Sequence, residues 1–507
     1  MNAPLSANLQ TPYISAVLKS HQNIPVEVLD ANLMGWSMQK TLEELKKRSP
    51  RLLGIHMVYL WGKTAEVFDM LSRLRSLSPQ THINLFGFFP TFSYKEILQR
   101  FPFIDSITIG EPEYTFLELA QSIINNSQKI DYSDIDGLAF AVSDNTPVNN
   151  NEGHRIVKNR PRAPIPDLDG LPFPDRNHLH QHEGSGIATY ILGSRGCYGH
   201  CTFCYINPFY GNGSAWRGRS AENVFEEIRS LYNGQSIQYF YFADANFFGP
   251  GREGRERASQ LADLTIKGKL KIRFGIECRA NDIEEGNLSR LVRAGLCEVF
   301  LGIESGSQHV LNRFKKGVST DINARAVETL RRFGIEPSQG FIMFHPDSRL
   351  ADVRENLEFL KKLKLLHTPA VTAHILHHRQ TFFRGTPDFP LALSRPGTRL
   401  EPTTGYEAFC EFNDPKVAAF SEVATSLCRN VLDMLRPDDA DVCNTGNENG
   451  GLAVINDAVI NSYERMLKSF EDGEAAHDVS QARRIHDKLL EDIGYAYRKR
   501  PGENDSQ

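Results

Sequence analysis

Cys197, Cys201 and Cys204 stand in the pattern CxxxCxxC within YILGSRGCYGHCTFCY, in a chain whose other five cysteines are scattered. Thiolates at this spacing can bind three irons of a 4Fe-4S cubane, and the missing fourth ligand leaves one iron open to a substrate or cosubstrate. A four-cysteine cluster would carry electrons only. Two plainer readings stand beside this one: a zinc ion with His200 or a distant residue as fourth ligand, or three buried cysteines without a metal. Structural zinc usually draws on paired CxxC units, which this stretch lacks. Cys278, Cys297, Cys410, Cys428 and Cys443 show no cluster spacing, so no auxiliary cluster is expected.

The motif must be held at the end of a strand, because YILGS runs straight into it. It opens a series of apolar strands at Tyr190, Tyr239–Ala243, Ile272–Glu277, Glu298–Glu304, Gln339–Phe344 and Ala370–Leu376. Amphipathic stretches around 221–231, 255–266, 285–294, 321–332 and 351–363 separate them. Six βα units suit a partial (βα)6 TIM-type barrel, whose chemistry lies at the carboxyl ends of its strands. An earlier alternation covers Val26 to Ile124: VEVLD, a helix at 39–47, LLGIHMVYL, a helix at 64–77, HINLFGFF, a helix at 94–100, DSITIGE and a helix at 114–124. It predicts a Rossmann-like parallel sheet, with a hairpin at 137–142 and 154–158. The class is therefore α/β. Its expected divisions are a Rossmann-like domain at 1–150, a proline-rich linker at 151–184, the barrel at 185–380 and a mostly helical region at 381–507. In the last of these, Val417, Phe420, Val423, Leu427 and Val431 recur at helical spacing, and TGNENGG at 445–451 reads as a loop.

Composition narrows the function classes. The 507 residues carry a formal net charge of -5, which lacks the basic footprint of a nucleic-acid binder. No apolar run is long enough to span a bilayer, and MNAPLSANLQ lacks the pattern of a secretory signal. The expectation is a cytoplasmic protein with neither nucleic acid nor membrane as partner. Eight cysteines in so long a chain do not form a disulfide framework.

The cysteine motif, the aromatic Phe203 before its last thiol and Tyr205 after it resemble the radical S-adenosylmethionine (SAM) superfamily. So do FADANFF (242–248), GIECRAND (275–282), LGIESGSQHVLNRFKKG (301–317) and GFIMFHP (340–346). The resemblance implies a 4Fe-4S cluster whose open iron binds SAM, reductive cleavage to a 5'-deoxyadenosyl radical, and an electron donor such as a flavodoxin or ferredoxin. It places Asp244 and Asn246 where the methionine amine is held, and Glu304 and Ser305 at the ribose and methionine. Arg279 falls at the methionine carboxylate and Gly340 on the strand facing adenine. From the residues alone, Asp244–Asn246 can equally form a strand-end turn, Ser305 a helix cap, and Arg279 an exposed partner of Asp282.

The first 150 residues, the linker PIPDLDGLPFPDR, WRGRS (216–220) and GEPEYTFLEL (110–119) resemble the branch with an N-terminal cobalamin-binding domain. Many of its members methylate unactivated carbon or phosphorus. Whether cobalamin binds this chain is open: DxHxxG is absent, and GFFPT (87–91) puts phenylalanine where relatives usually show a close-approach glycine. Phe88 either fills the cofactor's slot or points into the core. Some members keep the domain without cobalamin, among them radical diol dehydratases, which the stretch 340–360 resembles. The expected function is hydrogen abstraction from a small organic substrate, leading to dehydration or rearrangement in specialised metabolism. The alternatives are a cobalamin-dependent methyltransferase and a non-catalytic metal-binding module. Glu277, His345 and His374 lie at expected strand ends as candidate acids and bases, or else as capping and surface residues.

Overall fold

A computed structural model describes residues 9–22, 24–125, 131–143, 154–176, 188–211, 216–435, 450–473, 487 and 491, to which all structural statements refer. The first sheet has the order β1-β2-β3-β4-β5. Its strands are β1 (Leu52–His56), β2 (His82–Phe86), β3 (Ser106–Thr108), β4 (Leu138–Ser143) and β5 (His154–Lys158). The first three are parallel, and the hairpin adds its two strands antiparallel. Ile83, Leu85 and Ile107 feed the apolar core with helices Gly62–Leu77 and Phe88–Arg100. On the other side, Asn84 and His82 bond Ser106 at 2.8 Å each, so the polar residues buried there are paired.

The second sheet holds β6 (Thr189–Ile191), β9 (Tyr239–Phe242), β10 (Arg273–Arg279), β11 (Leu296–Glu304) and β12 (Ser338–Phe341) in the order β12-β11-β10-β9-β6, all parallel. Between β6 and β9 lies a small antiparallel pair, β7 (Ser194–Arg195) and β8 (Arg217–Gly218). Alternation along the strands divides the sheet. Phe240, Phe242, Ile276, Cys278, Leu301 and Ile303 face the helices, while Tyr241, Glu277, Arg279 and Glu304 fall on the alternate positions. The helices start where the sequence caps them: Ser220 and Ser319 accept the backbone N–H of Asn223 and Ile322. Helix Glu285–Ala294 stops at Gly295, with φ +113 and no room for a Cβ, which would lie 2.1 Å from the Ile272 carbonyl.

Two expectations about elements are corrected. Ala370–Leu376 is not a strand but part of helix Pro369–Leu376. The Thr368 hydroxyl accepts the Val371 N–H, proline sits at the first turn, and Thr372 bonds Asn456 of helix Gly450–Glu471 at 2.6 Å; cap and packing outweigh the β-branched residues. Beyond β12 the sheet continues only as an isolated parallel bridge, Phe344 to Arg379. Val26–Asp30 pairs with no strand and leads into a turn in which Asp30 accepts the Leu33 N–H at 2.9 Å. The helix expected at 94–100 is present, joined across a kink at Ser93, with φ -112 and ψ 18, to a further helical turn that starts at Phe88.

β5 carries the first sheet past residue 150, and an N-terminal helix, Gln10–Gln22, joins linker residues Ile165, Leu168 and Leu171 and strand residue Tyr190 in one apolar cluster. The C-terminal helices Pro415–Met434 and Gly450–Glu471 pack onto the second sheet's core, burying Val417, Phe420, Val423, Leu427 and Val431 as their spacing predicts. A three-stranded antiparallel sheet, β13 (Phe382–Phe383), β14 (Arg399–Leu400) and β15 (Glu407–Phe409), lies ahead of them in the chain. The expected loop at 445–451 lies outside the described residues up to 449, and Cys443 does too.

Candidate active site

The cysteine loop leaves β6 with its root fixed on two sides. Gly193 N–H and the Ser194 hydroxyl donate to the Asp244 carboxylate at 2.7 and 2.8 Å, and the buried Arg195 guanidinium bonds Glu111 and Glu113 at 2.9 and 2.5 Å. Further along, Thr202 exchanges bonds with Asp388, hydroxyl to carboxylate and N–H to carbonyl, each 2.9 Å. Phe203 packs edge-on to Phe314 at 5.2 Å. Cys204 N–H closes a turn onto the Cys201 carbonyl at 3.2 Å, and Tyr205 leads into the short helix Ile206–Phe209. The loop is clamped by neighbours on four sides before any cofactor is considered.

Positive charge gathers at the thiols. Arg279 donates to the Cys201 sulfur at 3.4 Å, donates again to the Lys316 carbonyl, and stacks over Tyr198 at 5.4 Å. Gly199 lies so close that a Cβ there would sit 2.3 Å from the guanidinium, and its N–H points at the Cys197 sulfur at 3.3 Å. Lys316, itself buried, is paired with Glu304 at 2.9 Å. Burial pushes the Cys197 thiol up and that of Cys204 to about 12, against the pull of nearby N–H groups and of Lys316. Such thiols shed their protons when a metal takes up the charge. Among the described residues, no three His, Cys, Asp or Glu side chains converge closely enough for a single ion. A cubane asks for thiolates on separate corners, with N–H groups and cations toward their sulfurs, and the donor set here is of that kind.

The other expected site residues divide into those at this centre and those occupied elsewhere. Arg279, Glu304, Phe203 and Tyr205 surround the loop. Glu304 has φ +65, and its second carboxylate oxygen comes within 3.3 Å of where a Gly340 Cβ would stand, so glycine keeps that approach open. Arg279 is buried, and Asp282 takes its backbone N–H, at 3.2 Å, instead of pairing with its guanidinium. Asp244 and Asn246 form a tied strand-end turn: Asn246 donates to Asp282 at 2.7 Å and accepts Gly249 N–H at 2.7 Å. Burial raises the Asp244 carboxyl to about 6. The Ser305 hydroxyl is spent on Asn356 at 2.7 Å.

Glu277 lies on β10, two residues before Arg279, with the Tyr241 hydroxyl 3.4 Å away. Burial pushes its carboxyl up to about 7. His345 is buried behind Phe314 at 5.5 Å. Its Nδ1 accepts the Asp347 N–H at 3.2 Å, so the ring proton sits on the buried Nε2. Burial lowers His345 to about 4. His374 lies on helix Pro369–Leu376 beside His377 and His378, and it too is lowered to about 4 by burial. Lys316, Tyr198 and the Thr202–Asp388 clamp were not foreseen. The cue for Lys316 was the KKG turn, whose Gly317 has φ +70.

Residues 191–360, from the strand before the cysteine loop to the helix after β12, match the radical SAM superfamily. This stretch is a radical SAM domain. The chain is an enzyme built on that domain, and its cofactors include a 4Fe-4S cluster and SAM. It is 25% identical over 393 residues to an uncharacterized methyltransferase, PH0819, of Pyrococcus horikoshii, covering 76% of each chain. To the 4'-phospho-dehydrooxetanocin synthase of Priestia megaterium it is 28% identical over 384 residues, which span 71% of this chain and 49% of that one. The structure of the cobalamin-dependent SAM radical enzyme OxsB with aqua-cobalamin and SAM bound shares the fold. Its TM-score is 0.74 at 20% identity, with 99% of this chain and 79% of that one aligned.

Proposed function

We propose that this enzyme removes a hydrogen atom from a small organic substrate at the carboxyl ends of β9–β12 and completes a radical dehydration or rearrangement in the cytoplasm. Cys197, Cys201 and Cys204 hold the cluster, with Arg279 and Lys316 supplying positive charge around it; Lys316 and Glu304 together set the polar end of the SAM site, and Gly340 leaves it open. When bound, cluster and SAM supply the 5'-deoxyadenosyl radical that takes the hydrogen atom.

The observation that carries the reading is Glu277, a carboxyl held near neutral pKa by burial, with Tyr241 beside it and no cation paired to it in the described contacts. A carboxylic acid that is about half protonated at pH 7 can give that proton to a departing hydroxyl. The carbon–oxygen bond breaks, water leaves, and the proton of the hydroxyl on the adjacent radical carbon passes to the Glu277 carboxylate, leaving a neutral radical beside a carbonyl; one electron from a flavodoxin- or ferredoxin-type donor and one proton from solvent then complete the product. Methyl transfer is the competing reading, favoured by the methyltransferase from Pyrococcus. Anaerobic turnover with a chemical reductant separates the two: 5'-deoxyadenosine without S-adenosylhomocysteine supports dehydration or rearrangement, and equimolar formation of both overturns it.

A further inference from the structure

The first domain presents its ligand-binding edge to the second, and that edge is covered. In an open α/β sheet a ligand sits beyond the carboxyl ends of the parallel strands, here after His56, Phe86 and Thr108. Gly87, with φ +110, turns the chain directly after β2, and a Cβ there would press the His56 ring at 3.1 Å. The next residue, Phe88, points out of its own domain: its ring centroid lies 4.2 Å from Phe209 and 4.8 Å from Tyr205, both in the segment that follows Cys204. Phe92 adds contacts to the same two rings at 6.3 and 6.4 Å. After β3, a Cβ on Gly110 would stand 3.7 Å from the Phe209 carbonyl, so backbone faces backbone. After β1, Tyr59 meets Tyr406 at 5.1 Å and Phe383 at 5.8 Å, and its hydroxyl donates to Glu407 at 3.1 Å.

A flat macrocycle between two surfaces needs them about 7 Å apart, twice the carbon contact distance of about 3.5 Å. At Phe88 the two domains are already in direct ring contact. The buried ion pairs of Arg195 and Arg217 with Glu111, and of Arg195 with Glu113, hold them there. The residues present do not fit a corrin ring.

We infer that this chain binds no cobalamin: Phe88, Tyr205 and Phe209 seal the corrinoid edge of the first domain, which serves instead as a brace fixing Tyr205 and the cysteine loop. The inference is independent of the dehydration reading, since it concerns occupancy and not products. The test uses the unaltered full-length chain, produced in cells fed hydroxocobalamin and, separately, incubated anaerobically with hydroxocobalamin and desalted. Cobalt at background by elemental analysis in both preparations, with no corrinoid absorbance travelling with the protein and no corrinoid adduct in its native mass spectrum, is the expected result. Cobalt retained at a one-to-one ratio in either preparation overturns it, and leaves the reaction to be judged separately from the products and from Glu277.

Discussion

Replacing Glu277 by glutamine keeps the shape of the side chain and removes its titration. The carboxyl is raised from its ordinary 4.5 to about 7, first by burial and then by the charges of Asp244 and Glu298, against the Tyr241 hydrogen bond. At 1.36 kcal/mol per unit, that shift disfavours the carboxylate in the folded chain by about 3 kcal/mol. Because the native state holds the proton more tightly than the unfolded one, the sign runs opposite to the usual carboxylate. The contribution is fully present below about pH 4.5, is lost as pH rises to about 7, and is flat beyond. Glu277→Gln should therefore match the parent near pH 4.5 and exceed it at pH 8, by up to about 3 kcal/mol. Urea midpoints of parent and variant across that range read the difference directly.

The same proton gives a kinetic signature. In the parent, product formation should fall about tenfold per unit above pH 7, whereas the variant should be slower by a factor of 10² or more and lack that limb, the range general acids contribute. Parallel midpoint curves for parent and variant would show that the carboxyl titrates normally. A variant at full rate would remove Glu277 from the chemistry.

Arg195→Met leaves Glu111 and Glu113 buried with reduced pairing and should cost about 3–5 kcal/mol, read as a lower melting temperature that Glu113→Gln in the same chain partly restores. Lys316→Met should keep the iron content of the parent but bind SAM about tenfold or more weakly, the worth of a charged hydrogen bond, measured by equilibrium dialysis. Cys201→Ala, in contrast, should lose the iron itself.

Most strands of the second sheet were readable because their apolar runs are separated by stretches with a helical period of their own; Phe240, Ile276 and Leu301 lie in the core those runs build. The apolar run PAVTAHIL was not readable by period, since strand and helix both bury such a run, and the decision rested with Thr368 and with Asn456, which bonds Thr372 from 84 residues away. The spacing of the thiols was visible in the sequence, and the fold sets all three on one loop after β6. Lys316 was not, because its meaning comes from the fold that brings Glu304 and the Arg279 guanidinium against it. Asp244 and Ser305, expected at the cosubstrate, also carry hydrogen bonds of the loop root and of Asn356, which no local pattern announces. The direction of Phe88 is a property of two domains together, which no local pattern encodes.

The brace also accounts for a feature that stability alone does not favour. Buried ion pairs repay their desolvation poorly, and apolar residues of equal volume often do as well. Yet Arg195, two residues before Cys197, is held by carboxylates at 6% and 0% exposure on the opposite domain. What such a pair provides over an apolar contact is a fixed direction: a guanidinium bonded to two carboxylates cannot slide. Phe88 on Tyr205 fixes the loop from its other end, one residue beyond Cys204. The two anchors bracket the three thiols, so the first domain determines where the radical is generated relative to Glu277 even with nothing bound at its own strand edge. Loosening either anchor should then blunt turnover before it costs iron, since the loop keeps its thiols but loses its register with β10.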